Sequence, residues 1–180
     1  MLNAQQQVFL QALEDLDLGQ VQRLLADGLD PNFIDAEKGP AVSVWSDGLF
    51  KWWEHISESY EAGKPLSSEQ KKQNLQIHLD ILEALIQAKA NFNLWDSEEC
   101  YGPLWDAASA ACAPAVLRLL DIQVESNSKD EEGKTILTSI SDLFFDCDFD
   151  QIDWSQALPE EKETLELLRS RGAKMSKELT

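Results

Sequence analysis

The sequence predicts an all-α protein in which pairs of short helices repeat along the chain and stack into a solenoid. The strongest observation is a phrase that occurs three times, at residues 24–32, 85–93 and 119–127, each copy running from an apolar helix end through a polar breaker to an asparagine. The last two copies end 34 residues apart (127 − 93) and the first two 61 apart (93 − 32), which is one period plus about 27 residues (61 − 34). Fixed spacing of this kind predicts stacked repeats.

Apolar residues at helical spacing, separated by glycines and prolines, are the other two observations. They divide one domain, residues 1–180, into units of roughly 4–35, 36–96, 97–130 and 131–175. Because helices this short cannot bury their apolar faces alone, each unit is expected to pack on its neighbour, with almost no β-sheet.

The first unit is predicted to contain two helices separated by a break at Gly19. One lies within residues 4–17, and the other starts near Val21 and stops at Gly28. The second unit is longer. It has a tryptophan-rich helical stretch over residues 39–60, and the next helix begins at a capping box whose Ser67 and Gln70 are three residues apart. Most of the extra residues therefore form an insertion near 47–75.

The third unit begins at Gly102-Pro103, and Pro114 fits the first turn of its second helix. The fourth begins at Gly133 and is interrupted by an acidic, aromatic insertion near 144–158. It resumes with Pro159 as a helix start, followed by acidic residues in the first turn and arginines in the last, which suits the helix dipole.

The net charge and the hydropathy of the chain restrict the classes of partner and the cellular location that we expect. The chain has 15 basic and 33 acidic residues, a net charge of −18, so nucleic acid and anionic lipid are disfavoured as partners. A basic protein would instead be attracted and steered, although solubility alone also explains an acidic surface. No apolar run is long enough to cross a membrane, and the start of the chain lacks the positive charge of a signal peptide, so we expect a cytoplasmic protein with its three cysteines reduced.

Residues 130–163 carry eleven acidic and two basic side chains, half of the net charge. The alternating acids at 146, 148 and 150 suggest a calcium loop, but Gln151 and Ala157 stand where that loop needs glycine and glutamate. The segment is either a solvated insertion or a docking surface for a basic partner, with Trp154 and nearby phenylalanines as anchors. The candidate contacts here are Asp146, Asp148, Asp150 and Trp154.

No arrangement predicts catalysis, a metal or a cofactor. The two histidines, His55 and His78, lie in different predicted helices with no acid or cysteine at ligand spacing. Residues 128–135 approach a phosphate-binding loop, but Ser128 replaces its first glycine and three acids lie where phosphates would bind. A small hydrolase or a nucleotide-binding protein is therefore disfavoured.

The units resemble ankyrin repeats. The third unit offers Gly102-Pro103-Leu104-Trp105, then Ala107-Ala108 and Leu119-Leu120, and the fourth offers Gly133-Lys134-Thr135-Ile136-Leu137. The resemblance covers most of the chain, although Trp105 replaces the histidine of the motif and both insertions depart from it. It implies a non-catalytic protein that binds through its loop tips and the inner face of its first helices. The positions matching that surface are Trp45, Trp52, Trp53, Glu98, Glu99, Tyr101, Trp105, Asp130, Glu131 and Glu132.

Tryptophan is favoured at the energetic centres of interfaces, but core filling is the competing interpretation, most directly for Trp105 at its repeat-framework position. Trp52 and Trp53 are adjacent, so one helical face cannot bury both fully. Taken together, the repeats, the negative charge and the aromatic residues favour a specific inhibitor, such as an immunity protein of a bacterial cytosol that neutralises a basic toxin. The alternative is a general scaffold or adaptor. The sequence predicts no oligomeric state.

Overall fold

The computed structural model describes residues 2–94 and 102–179, and these residues are mostly helical, as the predicted all-α class requires. The helices are α1 Ala4–Glu14, α2 Leu18–Ala26, α3 Ala41–Glu61, α4 Ser68–Gln87, α5 Pro103–Ser109, α6 Ala113–Asp121, α7 Ile136–Phe145 and α8 Pro159–Ser170. Two short strands, β1 Ile34–Asp35 and β2 Gly39–Pro40, pair antiparallel, and single 3₁₀ turns occupy Phe149–Gln151 and Ser176–Glu178.

The helices pack in two rows. Helix α1 packs on α3, α3 on α5 and α5 on α7, which we call the first row; α2 packs on α4, α4 on α6 and α6 on α8, which we call the second row. Within each pair the two helices also pack on each other. In the part of the chain that the structure describes, no helix combines the length and apolar character needed to cross a membrane.

Local signals place the helix ends. The Ser67 hydroxyl accepts from the amide of Gln70, and the Gln70 side chain accepts from the amide of Ser67, so the predicted capping box forms at the start of α4. Pro114 lies in the first turn of α6 and Pro159 begins α8, as expected for a residue that lacks an amide hydrogen.

The recurring phrase has a common physical basis. Just after α2, α4, α6 and α8 the backbone enters the left-handed region, with φ of 91° at Gly28, 60° at Lys89, 64° at Gln123 and 95° at Gly172. In each case the next amide bonds back to a carbonyl in the last helical turn, as Leu29 does to Leu24 at 3.0 Å. This is the Schellman arrangement that ends a helix and satisfies its last carbonyls.

The asparagine that closes each phrase connects its unit to the next. Its side-chain oxygen accepts a backbone amide from the following unit: Asn32 from Asn91 at 2.7 Å, Asn93 from Glu125 at 3.1 Å and Asn127 from Lys174 at 2.8 Å. The Asn32 and Asn127 amides also donate to carbonyls of the next unit. The phrase therefore repeats because it both ends a helix and bonds one unit to its neighbour.

The two insertions meet each other across the short third unit. Helix α3 extends well past α5, which is only seven residues long, and the Trp53 ring lies 6.4 Å from the Phe144 ring at the end of α7. Farther along, Lys71 on α4 pairs with Glu160 on α8, and the Tyr60 hydroxyl bonds to both side chains. Insertions were predicted near 47–75 and 144–158, but no contact between them was predicted.

Candidate functional site

Three of the four first-helix tryptophans that were predicted as partner contacts are buried in the core. Trp45, Trp52 and Trp105 expose 0%, 7% and 4% of their surface. Trp45 donates its indole hydrogen to the His78 carbonyl at 3.0 Å and packs edge-on against Phe92. These rings face inward because α3 and α5 are each packed between neighbouring helices, which requires large apolar side chains on their inner faces.

The other two predicted tryptophans, Trp53 and Trp154, are half-buried in one chain of aromatic rings. Ring centroids are separated by 6.4 Å for Trp53 and Phe144, 6.2 Å for Phe144 and Phe145, 6.1 Å for Phe145 and Trp154, and 5.5 Å for Phe149 and Trp154. The acidic segment is therefore anchored to the fold by aromatic packing, and both tryptophans keep part of their surface exposed.

The acidic residues predicted in the insertion have mixed roles. Asp146 is exposed, has φ of 51° and ends α7. Asp148 pairs with Lys177 at 2.7 Å, and this bond raises the pKa of the lysine. Asp150 is exposed. Since Asp148 is neutralised within the chain, only Asp146 and Asp150 leave their charge available at this surface.

The predicted tip of the fourth unit is partly structural. Asp130 accepts the Lys134 amide at 2.8 Å and shapes the turn, while Glu131 and Glu132 are exposed. The remaining predicted contacts, Glu98, Glu99 and Tyr101, lie outside the described residues.

A concave cleft of about 440 Å³ lies on the first row and was not predicted as a site. Its carboxylates come from four separate elements: Glu14 of α1, Glu37 of the β1–β2 turn, Asp47 of α3 and Asp106 of α5. The acids of α1, α3 and α5 carry no sequence motif, since they are up to 92 residues apart (106 − 14) and meet only when the helices stack.

Hydrogen bonds hold the cleft walls in place. Asp35 accepts the backbone amides of Glu37 and Lys38, each at 3.0 Å, and these bonds lower its pKa, so the turn stays anionic. Lys38 pairs with Glu14 at 2.5 Å. Asp106 accepts the Ser46 hydroxyl at 2.5 Å, which ties α5 to α3.

The two helix rows differ in charge. The four first-row helices contain seven carboxylates and one cation, Lys51, a net charge of −6. The four second-row helices contain eight carboxylates and six cations, a net charge of −2. Several second-row cations are also paired, as Arg118 is with Glu83 and Lys71 with Glu160. Negative potential is therefore concentrated on the first row, the face that carries the cleft.

Two free cysteines lie in the described residues: Cys112, which is buried, and Cys147, which is half-buried. Burial raises the pKa of the Cys112 thiol to about 12, so it stays protonated and unreactive at neutral pH. No group of three or more histidine, cysteine, aspartate or glutamate side chains within residues 2–94 and 102–179 could hold a metal ion. No protein-family model matches the chain, and no curated protein is detectably similar to it.

Proposed function

We propose that this chain is an ankyrin-like solenoid without catalytic activity that binds a basic protein through its first row. Stacked helix pairs, a repeated helix end and the asparagine bonds between units support the architecture. In such a stack the exposed side of one helix row becomes an extended surface suited to a macromolecular partner.

The observation that carries the proposal is the charge difference between the rows, −6 against −2, together with the cleft on the more acidic row. Four carboxylates and two lysines, Lys38 and Lys51, line the cleft, which leaves a net negative charge. A net negative surface with a concave centre attracts a positively charged partner and orients it before contact. The carboxylates are divided almost equally, seven on the first row and eight on the second, and the difference lies in the cations, one against six. A face whose acids have almost no compensating cations favours a binding role over solubility alone.

The specific role we propose is that of a cytoplasmic inhibitor, most simply an immunity protein that neutralises a bacterial toxin. An enzyme that acts on an anionic substrate, such as nucleic acid, has a basic active site. A carboxylate-rich face can occupy that site in place of the substrate. The mechanism is a charge-steered encounter followed by desolvation of a central apolar contact, which provides most of the binding energy.

The test is capture of partners on the tagged chain from its native cell, at low and then moderate salt, with identification by mass spectrometry. We expect one basic, stoichiometric partner that survives the salt wash and whose enzymatic activity falls in proportion to added protein. Several salt-labile partners, or one whose activity is unchanged, would point to a scaffold or adaptor. No partner at all would leave the acidic face as a solubility feature and refute the proposal.

A matched pair of variants adds specificity to this test. Glu37→Lys with Glu54→Lys reverses two exposed charges, on the cleft turn and on α3, whereas Asp27→Lys with Glu69→Lys reverses two after α2 and on α4. We expect the first variant to lose the partner at moderate salt and the second to retain it. Equal loss from both would show that net charge, and not this face, determines binding.

A further inference from the structure

Large apolar side chains are exposed at five places in the described residues. Three of them lie on first-row helices, and the two on α3 and α7 flank the contact between those helices. Phe50 on α3 is 41% exposed and Leu143 on α7 is 61% exposed. The others are Val8, Ile34 and Leu117. An exposed apolar side chain alone needs no explanation, but a contiguous group within a charged rim is typical of an interaction site.

Half-buried rings connect the two positions. Trp53 follows Phe50 by three residues, so the two side chains are neighbours on α3. The Trp53 ring lies 6.4 Å from that of Phe144, which adjoins Leu143 in α7. The Trp53–Phe144 contact therefore joins the two helices, with Phe50 one turn before Trp53 and Leu143 next to Phe144 in the chain, and we call these four residues the apolar patch.

The rim of the apolar patch is mainly acidic. Asp47 and Glu54 lie three residues before and four residues after Phe50 on α3, and Asp47 also lines the cleft. At the other end, Asp146 is exposed just beyond Leu143. The single helix cation nearby is Lys51. The rim of the patch therefore reaches the cleft, since Asp47 and Lys51 line the cleft on either side of Phe50 in the sequence.

We propose that the apolar patch is the anchor point of the interface, and that it receives an apolar side chain of the partner that is itself surrounded by lysine or arginine. This inference rests on the proposed function and specifies the partner's chemistry. The carboxylates select the basic surroundings, while burial of the apolar contact between partly rigid rings supplies affinity that survives salt. The buried Trp45, Trp52 and Trp105 support the fold beneath and do not touch the partner.

The experiment selects peptides from a displayed random library on the immobilised full chain. We expect enriched sequences that combine lysine or arginine with a central leucine, phenylalanine or tryptophan. A synthetic peptide of the enriched sequence should bind Leu143→Ser and Phe50→Ser about tenfold more weakly than the wild type, since each removes an anchor contact. Leu117→Ser, the same change on second-row helix α6, should leave its affinity unchanged. All three positions are exposed, and matching unfolding midpoints establish that the variants fold.

The outcomes separate the two proposals. Basic peptides without an apolar preference, or equal affinity for Leu143→Ser and Leu117→Ser, would overturn the anchor and leave the proposed function standing. A library that yields no basic sequence would overturn the proposed function and the anchor with it.

Discussion

His78 makes the stability of this fold depend on pH. It lies on α4, exposes 4% of its surface, and its Nδ1 atom has no hydrogen-bond partner. A Cβ placed on Gly48 would lie 3.2 Å from the imidazole, so the ring fits closely against α3. Burial lowers the His78 pKa from 6.5 to about 4, because the charged ring would lose its hydration with nothing to replace it.

The direction in which stability changes with pH follows from proton uptake by His78. Below pH 6.5 the unfolded chain binds a proton at this position that the folded chain refuses. The contribution of His78 is therefore fully present above pH 6.5 and is lost as pH falls towards 4. At about 1.4 kcal/mol per pH unit, the free energy of unfolding falls by roughly 2 kcal/mol at pH 5 and roughly 3 kcal/mol at pH 4.

The assay is urea unfolding at pH 7 and pH 5 for the wild type, His78→Leu and His55→Leu. His55 is exposed on α3 and serves as the matched control. Carboxylates titrate equally in all three chains, so we expect the wild type and His55→Leu to lose about 2 kcal/mol relative to His78→Leu. Parallel pH profiles for His78→Leu and the wild type would refute the reasoning, and His78→Gln repeats the test if leucine does not fit.

Three further predictions concern two contacts between units and the burial of one thiol. Asn127→Ala removes two hydrogen bonds to the fourth unit and should lower the free energy of unfolding by roughly 1–2 kcal/mol, whereas Asn74→Ala on the exposed side of α4 should not. Lys71→Met leaves the largely buried Glu160 without its cation and should cost roughly 1–3 kcal/mol in urea unfolding, much of it recovered on adding Glu160→Gln. Cys112 should resist a maleimide at neutral pH until urea unfolds the chain, as mass spectrometry would show, and rapid native labelling would contradict its burial.

Helix ends were predictable because the signals that set them are local. The capping box at Ser67, the proline at the start of α8 and the glycines after α2 and α8 each act within a few residues of where they stand. Lys89 and Gln123 occupy the same left-handed position without being glycine, so repeat spacing identified those ends where residue type alone would not.

Burial was harder to predict because it depends on distant neighbours. Trp45 is of a residue type favoured at interfaces. Its indole nevertheless lies inside the stack and donates a hydrogen bond to a carbonyl 33 residues away. The cleft has the same origin, since Glu14 and Asp106 acquire a shared role only after α1, α3 and α5 pack in a row. The sequence shows which residues are present, but it does not show how far one helix extends past its neighbour, and that extension decides which side chains are buried.

The most direct test of the central claim is carbodiimide cross-linking of the chain to its captured partner, because this reagent joins carboxylates to lysines that touch them. We predict cross-links from first-row carboxylates, chiefly Glu37, Asp47 and Glu54, and none from Glu69 or Glu166 of the second row. Cross-links confined to the second row, or spread evenly over both rows, would contradict the claim that the first row is the binding face.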